Sequence, residues 1–309
     1  MRIVSLLPSA TEIVCALGLS RQLVGVTHEC DWPPEAVGKP VMTRPTLDLR
    51  GASNRAIDRR VQAAVEEGHA LYEIDEEALR AARPDLIISQ QLCAVCAPHH
   101  ASVQELARSI SPEIAVISID PASLEGIFNS ISSVGAMTET ESKALALLAR
   151  LRGRLGRLEQ KVEKERAAGF RPLRVVGLEW LDPPFVVGHW VPEQIRRAGG
   201  WDLLGREGEP AVRTTWSAIR DIEPDMLLLM PCGYHLADTV REFGRMRRPP
   251  FWSDILAVQR HNVIALDGSA YFSRPGPRVV DGIYMLAEIF DPNHFVDIAP
   301  PMSWEPIPV

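Results

Sequence analysis

The strongest constraint on the fold is an internal repeat that relates the two halves of the chain. Leu79-Arg-Ala-Ala-Arg-Pro-Asp-Leu-Ile-Ile-Ser89 matches Ile219-Arg-Asp-Ile-Glu-Pro-Asp-Met-Leu-Leu-Leu229. Each segment is typical of a helix end, a Pro-Asp break and a short strand, because proline cannot continue a helix and an unbroken apolar run suits a parallel strand covered on both faces. The repeat therefore predicts two similar α/β halves.

The segments that open the two halves also correspond. Arg2-Ile-Val-Ser-Leu-Leu7 and Arg174-Val-Val-Gly-Leu-Glu-Trp180 both have the pattern of a strand that leads into a helix. Ser9 is predicted to cap the first of these helices, with Glu12 completing a capping box. Further strands are predicted at Leu23–Thr27, Ile114–Ile119 and Val263–Leu266. Strands that alternate with helices predict a parallel sheet in each half.

A long amphipathic segment separates the two halves. Its apolar residues follow helical steps of three and four, at Leu145, Leu148, Leu151, Leu155, Leu158 and Val162. No proline interrupts residues 138–168, so we predict one helix of about thirty residues, on the order of 45 Å long. The predicted fold is α/β, with two Rossmann-like parallel-sheet lobes joined by a single long α-helix. The expected organisation is an N-terminal lobe at 1–137, the helix at 138–169, a C-terminal lobe at 170–291 and a proline-rich tail at 292–309.

Charge and hydropathy exclude two classes of partner. The net charge is −7 and no face is dense in Lys and Arg, which argues against nucleic acid. The longest apolar runs, such as Asp225–Met230, are far shorter than the ~20 residues of a membrane helix, so the chain is not expected to span a membrane. Met1–Ser9 enters a strand without the pattern of an export signal, and five cysteines are not a disulfide framework. We expect a cytoplasmic protein as the sequence is written, and a periplasmic or other extracytoplasmic one if an export signal has been removed.

Several short motifs occur in one order along residues 2 to 291. They are Leu7-Pro-Ser-Ala-Thr-Glu12, Val24-Gly-Val26, Asp31-Trp-Pro-Pro34, Arg83-Pro-Asp-Leu-Ile87, Asp182-Pro-Pro-Phe185 with Gly188, Ala198-Gly-Gly200 and Arg274-Pro-Gly-Pro-Arg278. This order resembles the helical-backbone (class III) substrate-binding proteins of ABC importers for vitamin B12, haem and iron-siderophores, and most closely the B12-binding branch. The resemblance implies a non-enzymatic protein without a cofactor of its own. It also implies a ligand cleft between the lobes, formed by loops at the carboxyl ends of the strands.

The resemblance and the positions of the loops together predict the ligand-binding residues. They are Pro8, Glu29, Trp32, Arg44, Gln90, Trp180, Phe185, His189, Trp190, Tyr234, Tyr271 and Arg274. The B12-binding relatives are expected to line this cleft with aromatic rings, whereas Glu29, Arg44 and Gln90 make it more polar here. A cobalamin-type corrinoid is the predicted ligand, with haem or an iron-siderophore as the alternative. His189 is a candidate axial ligand for a bound cobalt or iron, and a hydrophobic cluster that closes the lobes is the alternative interpretation of the aromatic group.

Docking to importer subunits is a second expectation from the resemblance. Importer-associated members present one acidic side chain on each lobe to arginines of the membrane subunits. Glu77 stands at the matching helix position of the first half, while Ser217 stands at its counterpart in the second. One of the two expected docking contacts is therefore missing.

Cys93-Ala-Val-Cys96 follows the repeated strand of the first half and is the most chemically suggestive segment of the chain. Two thiolates at this spacing could hold a soft metal ion if His28, Cys30 or His99 completed the shell, and a cytosolic metal or redox protein is the corresponding alternative function. Cys93 and Cys96 are otherwise structural or ligand-contact residues, and we expect reduced thiols without stoichiometric zinc. No nucleophile elbow or phosphate-binding loop supports an enzyme.

Overall fold

The computed structural model describes residues 1–91 and 100–309, so Cys93, Cys96 and His99 lie outside the described residues. The chain divides into two compact units. Unit 1 contains residues 1–51, 59–121 and 125–149, and unit 2 contains residues 52–58, 122–124 and 150–309. Within the described part of the chain, no helix combines the length and the apolar character needed to cross a bilayer.

Unit 1 is built on a four-stranded sheet with strand order β2-β1-β5-β6, in which all neighbours are parallel. A separate antiparallel pair, β3 and β4, lies outside it. The strands are β1 (Ile3–Ser5), β2 (Leu23–Gly25), β3 (Thr43–Pro45), β4 (Tyr72–Ile74), β5 (Leu86–Ser89) and β6 (Ala115–Ser118). The helices of the first half are α1 (Pro8–Ala16), α2 (Asn54–Glu66), α3 (Glu76–Ala82), α4 (His100–Ile110), α5 (Leu124–Met137) and α6 (Glu141–Ala167).

Unit 2 contains a seven-stranded sheet with order β10-β8-β7-β11-β12-β13, and β9 pairs with β7 beside that path. The strands are β7 (Arg174–Leu181), β8 (Pro184–Val186), β9 (Trp201–Asp202), β10 (Val212–Arg213), β11 (Met226–Leu229), β12 (Val263–Leu266) and β13 (Trp304–Pro306). The helices are α7 (Val191–Arg197), α8 (Trp216–Asp221), α9 (Leu236–Arg245), α10 (Leu256–Gln259), α11 (Gly268–Tyr271) and α12 (Val279–Phe290).

The α/β fold class with two sheet-based lobes is confirmed, but the wholly parallel sheet predicted for the second half is wrong. The strands β8, β10 and β13 run antiparallel to their neighbours. The turn at Asp182-Pro183 sends the chain straight back along β7, and the proline-rich tail returns as β13 along the free edge of β12. Such strands are only two or three residues long and give no periodicity that a sequence pattern can reveal.

The predicted long helix is confirmed as α6, which has 27 residues and connects unit 1 to unit 2. At 1.5 Å per residue it extends about 40 Å. The predicted capping box of α1 is wrong. Leu7 is the N-cap, Pro8 occupies the first turn and Ser9 lies inside the helix. Proline suits this position because its fixed φ matches the helix and its missing N–H would have had no partner.

A bonding pattern in unit 1 fixes the repeated segment to the start of the first strand. The Asp85 carboxylate accepts a hydrogen bond from the backbone N–H of Arg2 at 2.6 Å. The Arg2 side chain in turn donates from Nε to the carbonyl oxygens of Ala82 and Arg83 at the end of α3. Arg83 has a φ of +44°, so the chain leaves the helix through the left-handed region.

The same pattern recurs in unit 2. The Asp225 carboxylate accepts from the backbone N–H of Arg174 at 3.0 Å, and the Arg174 guanidinium donates to the carbonyl oxygens of Ile222 and Glu223. Glu223 has a φ of +50°. The sequence repeat is therefore also a repeat of hydrogen bonds, in which an arginine satisfies the last carbonyls of a helix.

Candidate functional site

The end of β2 in unit 1 carries a polar group around the predicted residue Glu29. Nδ1 of His28 lies 2.8 Å from the Thr43 hydroxyl, and the His28 ring is 5.4 Å from the Tyr72 ring. The Tyr72 hydroxyl donates to Glu29 Oε1 at 3.5 Å, and His28 Nε2 lies 3.8 Å from the same oxygen. Glu29 is exposed, so this group offers a carboxylate and an imidazole at the surface of unit 1.

The other predicted ligand-binding residues of the first half differ in their exposure and in their contacts with other side chains. Arg44 is exposed and its guanidinium pairs at 2.8 Å with Glu73, its cross-strand neighbour on β4. Exposed pairs of this kind contribute only about 0–1 kcal/mol, so a ligand can compete for the guanidinium. Trp32 is 45% exposed, whereas Gln90 is buried directly after β5. Pro8 follows β1 as the first residue of α1.

Asp120 is a candidate site residue that sequence reasoning missed. It follows β6, and its two carboxylate oxygens accept from the backbone N–H of Gln91 and from the Ser118 hydroxyl, each at 2.5 Å. On the neighbouring strand, the Ser89 hydroxyl lies 2.5 Å from Nδ1 of His100. These groups line the carboxyl edge of the unit 1 sheet, where open parallel sheets bind ligands. The available signal was the break at Asp120-Pro121 directly after a predicted strand.

The Cys15 thiol of unit 1 is a poor candidate for metal chemistry. Burial is the largest cause that raises the pKa of Cys15 to about 11, so its thiol stays protonated at neutral pH. The sulfur of Cys30 lies 3.1 Å from the Thr11 hydroxyl and 3.3 Å from the Thr27 hydroxyl. The metal alternative for Cys93 and Cys96 lies outside the described residues and stays a prediction.

In unit 2, the ends of β7 and β11 bring predicted aromatic residues together. Trp180 pairs with Phe185 across the β7–β8 hairpin. The Tyr234 ring, which follows β11, meets the Trp180 ring edge-on with centroids 5.6 Å apart. The Arg213 guanidinium lies 5.4 Å from the centre of the Phe185 ring. Because β7 and β11 are parallel neighbours, their ends place Trp180 and Tyr234 at one edge of the sheet.

The polar atoms of these rings contact a residue that sequence reasoning did not select. Trp180 donates its indole N–H to the carbonyl oxygen of Asn54 at 3.3 Å, and the Asn54 amide donates to the Tyr234 hydroxyl at 2.9 Å. Asn54 Oδ1 accepts from the Leu181 N–H at 3.3 Å, while its own N–H donates to Glu242 at 2.6 Å. Burial, with a smaller effect of Glu242, raises the pKa of Tyr234 to about 12, so this phenol stays neutral.

His189 and Trp190 have different environments, although they are neighbours in sequence. The backbone of His189 is held by Glu209 and Gly208 with a φ of +53°, and burial lowers the pKa of its imidazole below the ordinary value. A neutral imidazole retains a lone pair that can bind a metal. Trp190 is only 6% exposed, and its indole N–H donates to the carbonyl of Phe272 at 3.0 Å. The contacts of Trp190 are those of a packing residue.

The last two predicted residues follow β12. The Arg278 guanidinium lies 5.6 Å from the centre of the Tyr271 ring, and the Tyr271 carbonyl accepts from Gln194. Arg274 is buried, with 8% of its surface exposed. Nearby in sequence, Asp267 caps α11 and binds Nδ1 of His235 at 3.0 Å.

The predicted docking residues occupy equivalent helix ends in the two units. Asp75 caps α3 by accepting from the N–H of Ala78, and Glu77 lies exposed in the first turn. Thr215 caps α8 by accepting from Ala218, and Ser217 there contacts the Thr215 hydroxyl at 2.9 Å. The matching turn of α8 contains no acidic residue.

Two α/β units connected by a long helix define a substrate-binding protein of the helical-backbone class. The chain belongs to the Periplasmic binding protein family, which it matches over residues 3–270. It is therefore an ABC-transporter substrate-binding protein and not an enzyme.

Curated relatives are distant but cover most of the chain. An uncharacterized ABC transporter substrate-binding lipoprotein of Bacillus subtilis, YvrC, is 24% identical over 299 residues, covering 95% of this chain and 81% of the relative. The Vitamin B12-binding protein of Pectobacterium atrosepticum is 23% identical over 281 residues, covering 90% of this chain and 84% of the relative.

Solved structures agree in fold at low sequence identity. A periplasmic heme binding protein of Pseudomonas aeruginosa has a TM-score of 0.71 at 19% identity, covering 95% of this chain and 93% of that one. The vitamin B12 binding protein BtuF of Vibrio cholerae has a TM-score of 0.63 at 22% identity, covering 94% and 96%. A possible iron-binding protein of Staphylococcus epidermidis gives 0.68 at 20% identity, covering 93% and 97%. Likeness at this level of identity shows the fold and not the ligand.

Proposed function

We propose that this protein captures a cobalamin-type corrinoid and presents it to an ABC importer. The observation that carries the proposal is the edge-on contact of Trp180 with Tyr234 at the ends of two adjacent strands. With Phe185 paired to Trp180, these rings offer the broad apolar surface that a macrocycle requires. The vitamin B12-binding relatives that align with 90% or more of this chain add support.

The polar residues of unit 1 have a complementary role in this proposal. Glu29 and Arg44 are exposed, and Gln90 follows β5 at the carboxyl edge of its sheet. Carboxylate, guanidinium and amide groups suit the amide-rich rim of a corrinoid, where they would fix the orientation of the ligand. We propose Pro8, Glu29, Trp32, Arg44 and Gln90 as the ligand contacts of unit 1. Tyr271 and Arg274 are proposed as further ligand contacts of unit 2.

Isothermal titration calorimetry with cobalamin and cobinamide tests the proposal. We expect micromolar or tighter binding, corresponding to about −8 kcal/mol or better. Trp180→Ala should weaken binding by about 1–3 kcal/mol, because a large apolar contact with the macrocycle is lost. Trp201→Ala is the matched control, since Trp201 is 62% exposed in the same unit and pairs with Arg174 at the opposite end of β7. Absence of heat with both corrinoids would contradict the assignment.

Haem is the second candidate ligand, and His189 is the observation that favours it. Its imidazole is kept neutral by burial and lies in a left-handed backbone conformation that costs energy outside glycine. If the His189 imidazole binds the iron, titration with haem should shift the Soret band relative to free haem. The variant His189→Ala should then lack this shift. An unshifted band, or a band unchanged in His189→Ala, would remove haem ligation by His189. A parallel titration with a ferric siderophore tests the remaining alternative, that the protein binds an iron-siderophore.

We propose that capture takes place outside the cytoplasmic membrane, as the family and its lipoprotein relative suggest. Glu77 is the proposed contact to the importer on the side of unit 1, where it stands exposed on α3. Fractionation of the native host, with an antibody against this chain, distinguishes extracytoplasmic protein from the cytoplasmic location expected from the sequence as written.

A further inference from the structure

Asn54 is a buried polar residue in a segment that belongs to unit 2 although it lies early in the chain. It is only 1% exposed, and residues 52–58 cluster with unit 2. A buried asparagine is stable only when its amide and its backbone groups find partners. The partners of Asn54 are therefore informative about what this segment does.

The hydrogen bonds that Asn54 makes outside its own helix go to groups around the proposed aromatic surface. Its side chain bonds the Tyr234 hydroxyl and the Leu181 N–H, and its backbone bonds the Trp180 indole and Glu242. One residue thus contacts both proposed ligand rings and the strand position directly after Trp180. An amide supplies both donors and acceptors from one planar group, which hydroxyl or carboxylate side chains cannot do in the same geometry.

Two ion pairs hold the flanking residues on the same surface. Arg55 binds Asp182 in the β7–β8 turn at 3.1 Å, and Asp182 is 17% exposed. Asp58 is 12% exposed and binds Arg213 of β10 at 2.9 Å. Both ion pairs lie on the C-terminal side of Asn54, at the start of α2, and hold this segment against the β7–β8 turn and β10.

We infer that Asn54 is a positioning residue, which takes up the polar groups of Trp180 and Tyr234 so that both rings present carbon surface to the ligand. That these two rings contact the ligand is taken from the proposed function, on which the inference rests. The inference adds a restriction on the chemistry of the ligand. The part of the ligand that contacts these rings is a flat apolar face or edge, as in a tetrapyrrole, and is not a hydrogen-bonding rim.

Fluorine NMR of the chain labelled with 5-fluorotryptophan tests the positioning role without any ligand. The chain has seven tryptophans, and the Trp180 resonance is assigned from its disappearance in Trp180→Phe. In Asn54→Ala the backbone carbonyl that accepts from the Trp180 indole remains, but the side-chain bonds to the Tyr234 hydroxyl and the Leu181 N–H are lost. Because Leu181 directly follows Trp180, we expect the Trp180 resonance to move or broaden, while the resonances of the tryptophans outside this surface stay in place. A Trp180 resonance at its wild-type position in folded Asn54→Ala would overturn the inference.

Asn262→Ala is the matched control for a general loss of stability. Asn262 is also an asparagine of unit 2 whose amide binds a backbone carbonyl, that of Asp225, but it lies before β12 and contacts neither ring. We expect Asn262→Ala to lower the melting temperature and to leave the Trp180 resonance unchanged. Movement of that resonance in both variants would show that it reports stability, and would overturn the positioning role.

Ligand affinity supplies the second measurement. Asn54→Ala should bind cobinamide about tenfold more weakly than the wild type, because the rings no longer hold the orientation that fits the macrocycle. Wild-type affinity in Asn54→Ala would overturn the inference. If the wild-type chain itself binds neither corrinoid nor haem, the proposed function fails, while the ligand-free Trp180 resonance still decides whether Asn54 positions the ring.

Discussion

The two units share the hydrogen bonds at one end of their sheets and differ in the side chains at the other. At the amino ends of β1 and β7, Asp85 and Asp225 accept from the backbone of an arginine that in turn binds the end of a helix. The last carbonyl groups of every helix lack partners within the helix, and these arginines supply them whichever ligand the protein binds. The hydrogen bonds are therefore repeated in the two units because both folds require them.

At the carboxyl ends of the strands the two units have opposite character. The described residues of unit 1 present hydroxyl, carboxylate and amide groups, for which Asp120 and Ser89 are examples. Unit 2 presents the rings of Trp180 and Tyr234. Loops at this edge are not required for packing of the sheet, so their side chains are free to differ. We therefore expect ligand specificity to depend on the carboxyl edges. The following predictions test whether the shared scaffold contributes equally to stability in the two units.

The largest effects are expected in the two cores. Ile87 in β5 and Leu227 in β11 occupy matching positions of the repeat, and both are fully buried. Replacing either by Ala should lower the free energy of unfolding by about 2–5 kcal/mol, because transfer free energy is lost and a cavity remains. Urea unfolding followed by circular dichroism measures the change. A large effect at one position and less than about 1 kcal/mol at the other would show that the cores are not equivalent.

Unit 2 should contribute a pH dependence of stability through Asp202. Burial raises the pKa of Asp202 from 3.8 to about 6, against the opposing effect of hydrogen bonds from Gly205, Leu204 and Gly177. The folded state then binds a proton more tightly than the unfolded state, so the stability contributed by Asp202 falls as pH rises from about 4 to about 6. The loss amounts to at most about 3 kcal/mol. Urea unfolding across this range should show the fall in the wild type and a flatter profile in Asp202→Asn.

Asp85 and Asp225, the two aspartates of the repeat, should contribute differently to the free energy of unfolding because they differ in exposure. Asp225 is 19% exposed and also pairs with Arg260, whereas Asp85 is 58% exposed. Asp225→Ala is expected to cost about 1–3 kcal/mol, since it leaves a partly buried N–H without its acceptor. Asp85→Ala should cost less than about 1 kcal/mol, because water replaces the carboxylate. Equal losses in thermal or urea unfolding would contradict this distinction.

The smallest expected effects are those at the helix caps. Asp75 caps α3 and Thr215 caps α8 through the same bond to the third N–H of the helix. Replacing either by Ala should cost about 1 kcal/mol. Ser217→Ala, one residue into the first turn of α8, is the control and should change the melting temperature little. A loss in Ser217→Ala as large as that in Thr215→Ala would point to the contact between their hydroxyls rather than to the cap.

Local sequence patterns were sufficient to predict the strands and helices that are long or that belong to the internal repeat. Strands β5, β11 and β12 begin where the apolar runs begin and end within one residue of where the runs end. Helix α6 buries its apolar stripe from Leu148 to Val162, whereas Leu145 is exposed. The short antiparallel strands β8, β10 and β13 were missed because their pairing depends on a turn and on a tail that returns from far along the chain. The capping box of α1 failed because Pro8 had already determined where that helix begins.

The sequence by itself determined the two α/β halves, the connecting helix and the loops that carry candidate ligand residues, since each follows from neighbours along the chain. Only the tertiary structure decided which side chains come into contact with the candidate ligand residues. Asn54 lies 126 positions from Trp180 and 180 positions from Tyr234, yet bonds both. Trp190, one residue from His189, turns its indole into the packing around Phe272. Such contacts depend on how elements fold back on each other, and hydrogen bonds between distant segments leave no periodic trace in the sequence.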